Sequence, residues 1–321
     1  MKHRKHFKNL DKIQINDSVQ SVLVSGKNKD APLLIHIQAG PGLPMISEAT
    51  KMEKLLHLED HFLVAYWDQR ACGLSYNKNI RPESISLAQM ADDIISCTRI
   101  LLQKYQQSRA VLVGYSFGAT AALMAAAKSS SLFSCIFAAG PDVDIPFANQ
   151  YALDFAMDQA TARNNKKWIK KINELKGRPI VESKSFQERA EIISNLGGIQ
   201  TGASFSDLVM ATVRNILFSK YYGLSGLIKT MSGMTFCQNS FLPKVNNLNL
   251  FQLVNNISVP VHFIQGSLDA VAPASKGKEF YEHLKAPRKS FSLFEHSAHT
   301  PHYEESEKFS KLIISRFNQS F

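Results

Sequence analysis

Cysteine is scarce in this chain. Cys72, Cys97, Cys135 and Cys237 are four residues among 321, far apart and without a Cys-x-x-Cys pair. That spacing argues against a disulfide framework and fits reduced, structural thiols in a cytoplasmic protein. Long hydrophobic runs are also missing. No stretch approaches the roughly 18 apolar residues that a membrane span needs. No apolar segment follows the basic start Met1–Leu10, so neither stable membrane insertion nor a secretory signal is expected. No group of His, Cys, Asp and Glu has metal-ligand spacing, so no metal is expected. There is no internal repeat and no low-complexity tract.

Acidic residues are in deficit, 27 against 37 Lys and Arg, for a net charge of +10. The excess is local. Met1–Leu10 holds Lys2, Arg4, Lys5 and Lys8 and no acid, and residues 161–185 hold eight basic residues against two acidic ones. These two segments account for the whole imbalance, so the high charge does not describe a nucleic-acid-binding domain. Arg163–Leu175 has the pattern of an amphipathic helix. Trp168, Ile172 and Leu175 share one face, and Lys166, Lys167, Lys170 and Lys171 lie largely on the others. A solvated face is the plainer reading; attraction of an anionic substrate or membrane surface is the alternative.

What is present is an alternation of short apolar runs and helical stretches. Ile13–Val24 reads as one or two strands, and Leu33–Gln38, Phe62–Trp67, Ala110–Val113 and Cys135–Ala139 each read as one. Helices are expected over Leu87 to about Tyr105, capped by Ser86, and over Phe117–Lys128. Strands separated by helices predict an α/β protein, with a mostly parallel central sheet covered by helices on both faces. From Asp142 to residue 255 strand-like runs almost vanish. Helices are expected near 146–164, 164–176, 186–195, 205–221 and 222–231. Val259–Gln265 restores the strand pattern, followed by a helix at Pro273–Leu284, a strand at Ser290–Phe294 and a closing helix at Tyr303–Phe317. The expected organisation is a core of residues 1–141 and 256–321, with a helical cap of residues 142–255 inserted over the strand ends.

The strongest chemical signal is Gly114-Tyr115-Ser116-Phe117-Gly118. It follows an apolar strand and precedes the Ala-rich stretch 119–127, which is the strand, sharp turn and helix of a nucleophile elbow. A serine hydroxyl needs a base to take its proton. In this arrangement the partners follow in the chain order acid, then histidine. Asp269 lies in the strand-end loop Gly266-Ser267-Leu268-Asp269, and His299 lies in the loop before the last helix. His296 and His302 compete for the second role, and Asp142 and Asp144 are fallback acids. The oxyanion needs two backbone N–H donors. Phe117 follows the nucleophile directly, and Gly40 is the choice in Ala39-Gly40-Pro41-Gly42, since Pro41 has no N–H. Among the cap aromatics, Phe147, Tyr151 and Tyr222 are candidates to line a pocket.

These stretches resemble the proline iminopeptidase-like branch of the α/β hydrolases. Members carry an HGGPG loop, a DQRGxGxS segment and a G-x-S-W-G elbow. The counterparts here are Gln38-Ala39-Gly40-Pro41-Gly42, Asp68-Gln69-Arg70-Ala71-Cys72-Gly73-Leu74-Ser75 and Gly114–Gly118. The resemblance implies the α/β-hydrolase fold, with Ser116, Asp269 and His299 as triad and Gly40 and Phe117 as oxyanion donors. It implies no cofactor. Departures are Gln38, Ala39, Ala71 and Phe117 where the pattern has His, Gly, Gly and Trp. The lid glutamates that hold a peptide's amine in proline iminopeptidases have no clear counterpart, and a basic lid is expected to repel an α-ammonium group. The expectation is a serine hydrolase cleaving an ester or related acyl bond of a small molecule. An aminopeptidase acting on short peptides is the second reading, and a non-catalytic binding protein on a hydrolase scaffold the third.

Overall fold

The computed structural model describes residues 6–319, so Lys2, Arg4 and Lys5 of the basic start lie outside the described residues. Eight strands form one sheet: β1 (Phe7–Ile15), β2 (Ser18–Gly26), β3 (Leu33–Ile37), β4 (Leu63–Asp68), β5 (Ala110–Tyr115), β6 (Phe133–Ala139), β7 (Val261–Gly266) and β8 (Lys289–Phe294). Their order is β1-β2-β4-β3-β5-β6-β7-β8. The pairs β1·β2 and β2·β4 are antiparallel and the other pairs are parallel.

The reason lies in the strands themselves. β3, β4, β5 and β7 are apolar throughout or nearly so and buried at every position, which suits parallel strands covered on both faces. β1 instead alternates in burial along its length, the mark of a half-exposed strand. It turns into β2 through Asn16-Asp17, with Asn16 at φ 51°. Asn tolerates that left-handed conformation better than most residues.

The eleven helices among the described residues are α1 (Ala49–Leu56), α2 (Leu87–Lys104), α3 (Phe117–Ser129), α4 (Ile145–Ala162), α5 (Lys166–Leu175), α6 (Ser183–Asn195), α7 (Phe205–Phe218), α8 (Gly223–Val245), α9 (Ala274–His283), α10 (Pro301–Glu304) and α11 (Ser306–Asn318). One sheet face packs Leu33, Ile35, Ala65 and Leu112 with Ala91, Ile94 and Ala122 of α2 and α3. The other packs Leu34, Val64, Val111 and Phe137 with Met52 of α1 and Phe309 and Ile313 of α11. The chain is thus a mostly parallel sheet between two helical layers. No helix of the described residues is long and apolar enough to cross a membrane.

Helices α4–α8 all lie between β6 and β7. In α4, Ala148, Ala152, Ala156 and Ala160 recur every fourth residue and are buried. Ala156 and Ala160 pack with Ile172 and Leu175 of α5 and with Ile192 and Leu196. Lys166, Lys167 and Lys170 of α5 are exposed.

Two helix boundaries depart from expectation. α8 does not stop near residue 231 but runs 23 residues to Val245. Its Gly233 is not a break: a Cβ there would stand 2.5 Å from the carbonyl oxygen of Ala71, so the glycine lets α8 lie against the core. The closing helix is split in two at Glu305, where Glu304 and Glu305 turn back onto the preceding loop.

Candidate active site

Ser116 stands between β5 and α3 with φ 52° and ψ −128°. That conformation costs a non-glycine residue about 1–3 kcal/mol. The hydrogen bond from its N–H to the Ala139 carbonyl at 2.9 Å helps to hold it. Gly118 makes the turn possible. A Cβ on it would lie 2.1 Å from the Gln38 carbonyl oxygen and 2.5 Å from that of Ile37. The first turn of α3 therefore sits directly on the end of β3. Gly40 follows, and a Cβ on it would be 3.9 Å from Cβ of Phe117. The two proposed oxyanion donors are thus neighbours. Phe117 is the first residue of α3, where the N–H has no helical carbonyl to bond.

Gln38, at the position where the family pattern has His, is buried and joins two loops. Its amide donates to Cys72 Sγ at 3.0 Å, and its oxygen accepts the Gln69 N–H at 3.4 Å. Next to it Arg70 forms a buried bidentate pair with Asp93 of α2, at 2.8 and 3.0 Å. Asp68 accepts the N–H groups of Met45, Ile46 and Leu74, each within 2.9 Å, and the hydroxyl of Tyr222. Asp68 and Arg70 hold loops.

Asp269 and His299 meet at the ends of β7 and β8. Asp269 Oδ2 lies 2.7 Å from His299 Nδ1. Asp269 Oδ1 accepts the N–H groups of Val271 and Ala272 at 2.8 Å each. A carboxylate oxygen only accepts, so Nδ1 carries the proton and Nε2 of the neutral ring is the basic nitrogen. Burial pulls the His299 imidazole down, but the charge and hydrogen bond of Asp269 and the charge of Asp142 outweigh it, and the net shift is upward. The backbone of His299 is held as well: its N–H donates to Ile199 O at 2.9 Å, from the segment between α6 and α7. Glu304 accepts the N–H groups of Ala298 and Thr300 at 3.1 and 3.3 Å.

The competing residues go elsewhere. His296 is exposed. His302 is buried against Tyr115, with ring centroids 4.4 Å apart, and burial holds its imidazole well below the usual range. Asp144 caps α4 through the Phe147 N–H at 3.1 Å. Phe147 is exposed, stacks on Tyr151 and lies under the Lys276 ammonium. Tyr222 is buried on Asp68.

Asp142 does what sequence reading left open. It follows β6, where Thr120 of α3 donates its hydroxyl to the Asp142 carbonyl at 2.9 Å. Its Oδ2 is 3.0 Å from Ser116 Oγ, and both side chains are buried. Burial pushes its carboxyl up to about 6, against the lowering effects of His299, the Ser116 hydroxyl and Arg189. Arg189 of α6 is half-buried and donates to Asn149; burial lowers its guanidinium to about 10, still charged at neutral pH. Lys166, Lys167 and Lys170 of α5 are exposed, and Lys171 pairs with Glu191 at 3.2 Å. Gly140, beneath His299, was also missed: a Cβ there would meet the ring at 3.2 Å. Its signal is the sequence Ala139-Gly140-Pro141-Asp142, a strand end of the same kind as those that carry Ser116, Asp269 and His299.

Comparison with known proteins identifies the family. The alpha/beta hydrolase fold family matches residues 32–306. A Bacillus subtilis (strain 168) protein named "Probable aminopeptidase YbaC" is 28% identical over 315 residues, 95% of this chain and 94% of that protein. Among solved structures, a proline iminopeptidase-related protein from Thermus thermophilus superposes with a TM-score of 0.64 at 14% identity, over 98% of both chains. An esterase from Rhodococcus sp. ECU1013 does so with a TM-score of 0.61 at 15% identity, over 98% of this chain and 99% of the other.

Proposed function

The chain belongs to the alpha/beta hydrolase family, and on that premise we propose that it is a serine hydrolase cleaving an ester or related acyl bond of a small molecule. The observation that carries this reading is the His299–Asp269 pair, 2.7 Å apart, at strand ends that follow the strained Ser116 in the required chain order.

In the proposed reaction Ser116 Oγ attacks the acyl carbonyl carbon while His299 Nε2 takes the hydroxyl proton. The oxygen that gains charge receives the N–H groups of Gly40 and Phe117. Collapse breaks the bond to the leaving group, which takes the proton from His299. Water then attacks the acyl-enzyme, with His299 as base, and releases the acid and free Ser116. Asp269 keeps the ring in the right tautomer and stabilises the imidazolium. Residues 142–255 act as a cap over this site. Its Gly198-Ile199 segment accepts N–H groups from both catalytic loops, those of Ala270 at 3.1 Å and His299 at 2.9 Å.

A second reading, aminopeptidase action, is favoured by two observations. One is the name of the Bacillus subtilis relative; the other is the Asp142 carboxylate beside Ser116, where an amine could be held. One experiment tests both. A fluorophosphonate probe is expected to label Ser116, and Ser116→Ala is expected to lower turnover of p-nitrophenyl esters by about 10⁴-fold or more. Comparison with a prolyl anilide separates ester from amide preference. An unlabelled Ser116, with esters hydrolysed equally by Ser116→Ala, overturns the hydrolase reading.

A further inference from the structure

We propose that Asp142 is a specificity-determining residue that selects acyl groups carrying a cation beside the reacting carbonyl, and that this cation frees Ser116 for His299. The inference rests on the reading of Ser116 as nucleophile.

The Ser116 hydroxyl has one proton to give. An ionised carboxylate only accepts, so at 3.0 Å the Ser116 hydroxyl donates to Asp142 Oδ2. While it does so, it does not donate to His299 Nε2, the contact that activates it. The orienting role of a triad acid is already filled, because Asp269 holds Nδ1 and has two backbone N–H groups of its own. Asp142 is therefore a second carboxylate at the nucleophile without that task.

Its charge is also under-compensated. Burying a carboxylate is costly unless a cation or several donors face it. Among the described residues its side chain takes the neutral Ser116 hydroxyl, and Arg189 acts on it only at longer range, with one guanidinium nitrogen committed to Asn149. A substrate cation would complete the site.

The distances are compatible with a cation on the atom next to the reacting carbonyl. In an α-aminoacyl group the nitrogen is about 2.5 Å from the carbonyl carbon, across two single bonds. At attack, the carbonyl carbon lies about 3–3.5 Å from Oγ. In the pose that turns the amino side of the acyl group toward β6, these lengths bring the ammonium within hydrogen-bond reach of the carboxylate that Ser116 now occupies. It brings three donors and a full charge, so it competes with a neutral hydroxyl for Oδ2. The hydroxyl turns away toward His299. Burial pushes the Asp142 carboxyl up to about 6, and His299, the Ser116 hydroxyl and, least, Arg189 oppose that rise. The recognised class is small α-aminoacyl esters and amides, held by a buried carboxylate in the loop that follows β6.

The test uses alanine benzyl ester, benzyl propionate and N-acetylalanine benzyl ester with the full chain. Wild type is expected to prefer the charged ester over both neutral ones by about tenfold or more in kcat/KM, the scale of a charge-assisted hydrogen bond. In Asp142→Asn that ratio is expected to fall by about tenfold or more, chiefly through KM of the charged ester. A wild-type ratio of one or less overturns the inference without any variant. So does a ratio left unchanged by Asp142→Asn, or a preference for a carboxylate-bearing acyl group that Arg189→Gln removes. Fluorophosphonate labelling separates the two levels. Labelled Ser116 without amine preference defeats Asp142 alone, whereas unlabelled Ser116 with no ester turned over defeats the hydrolase reading and this inference with it. Protection of Ser116 from the probe by alanine amide, weaker in Asp142→Asn, reads the same anchor without turnover; equal protection in both overturns it.

Discussion

Four charges set the chemistry around Ser116: those of Asp142, Asp269, Arg189 and, when protonated, His299. Their signs make a pH prediction. In the proposed reaction His299 must be neutral to act as base, so kcat/KM is expected to fall as pH drops through the imidazole pKa of the free enzyme. Burial lowers that pKa, Asp269 and Asp142 raise it, Arg189 lowers it, and the net shift is upward from 6.5. The acid limb for a neutral ester is therefore expected above 6.5. Asp142→Asn is expected to move it down and Arg189→Gln to move it up. A pH–rate profile of the three proteins checks both directions, and a limb indifferent to Asp142 and Arg189 contradicts them. At this scale the positions of Ser116, Asp269 and His299 were legible because each stands in a loop just after a strand. The tie between Ser116 and Asp142 was not, because spacing along the chain does not say which strand-end side chains converge.

At the scale of elements, the contact between β3 and α3 decides whether the elbow forms. Gly118 lets helix backbone touch strand-end backbone, and neither side can yield as a flexible side chain would. Gly118→Ala is expected to cost about 3 kcal/mol, the upper range for overpacking, and to displace the Gly40 loop. Urea unfolding with an unchanged slope and a lower midpoint checks the first part, and lower kcat in the surviving folded protein the second. Helix α8 shows how such contacts mislead a reader of sequence. Gly223, Gly226, Gly233 and Pro243 weaken its pattern, yet Gly233 is there because the helix lies on Ala71. Tertiary packing overrode local propensity. Conversely, Ser86 was readable as a cap, and it does accept the Gln89 N–H at 3.1 Å.

For the molecule as a whole, the question is how firmly α4–α8 are joined to the sheet. Tyr222, just before α8, donates to the buried Asp68, and Thr201 donates to Glu304 at 2.7 Å beside the His299 loop. Asp68 keeps its three backbone donors without Tyr222. Tyr222→Phe is therefore expected to cost about 1.5–3 kcal/mol, as for a hydrogen bond to a charged group. It should also speed amide exchange in α7 and α8 while β3 and β5 stay protected. Uniformly faster exchange would mean that the inserted helices and the sheet open as one unit.

The sequence alone determined the sheet-and-helix alternation, the long helical insertion and the three strand-end loops with Ser116, Asp269 and His299. Those features are local: a buried strand must be apolar, a sharp turn needs glycine, and a helix shows its period. Only the tertiary structure decided which residues face the nucleophile. It turned Asp142 from a fallback acid into the acceptor of the Ser116 hydroxyl, left Lys166, Lys167 and Lys170 of α5 exposed, and placed Arg189 of α6 where its charge acts on Asp142 and His299. The physical reason is that charge and hydrogen bonding act through space, and β5, β6, β7 and β8 bring together residues separated by up to 183 positions, from Ser116 to His299.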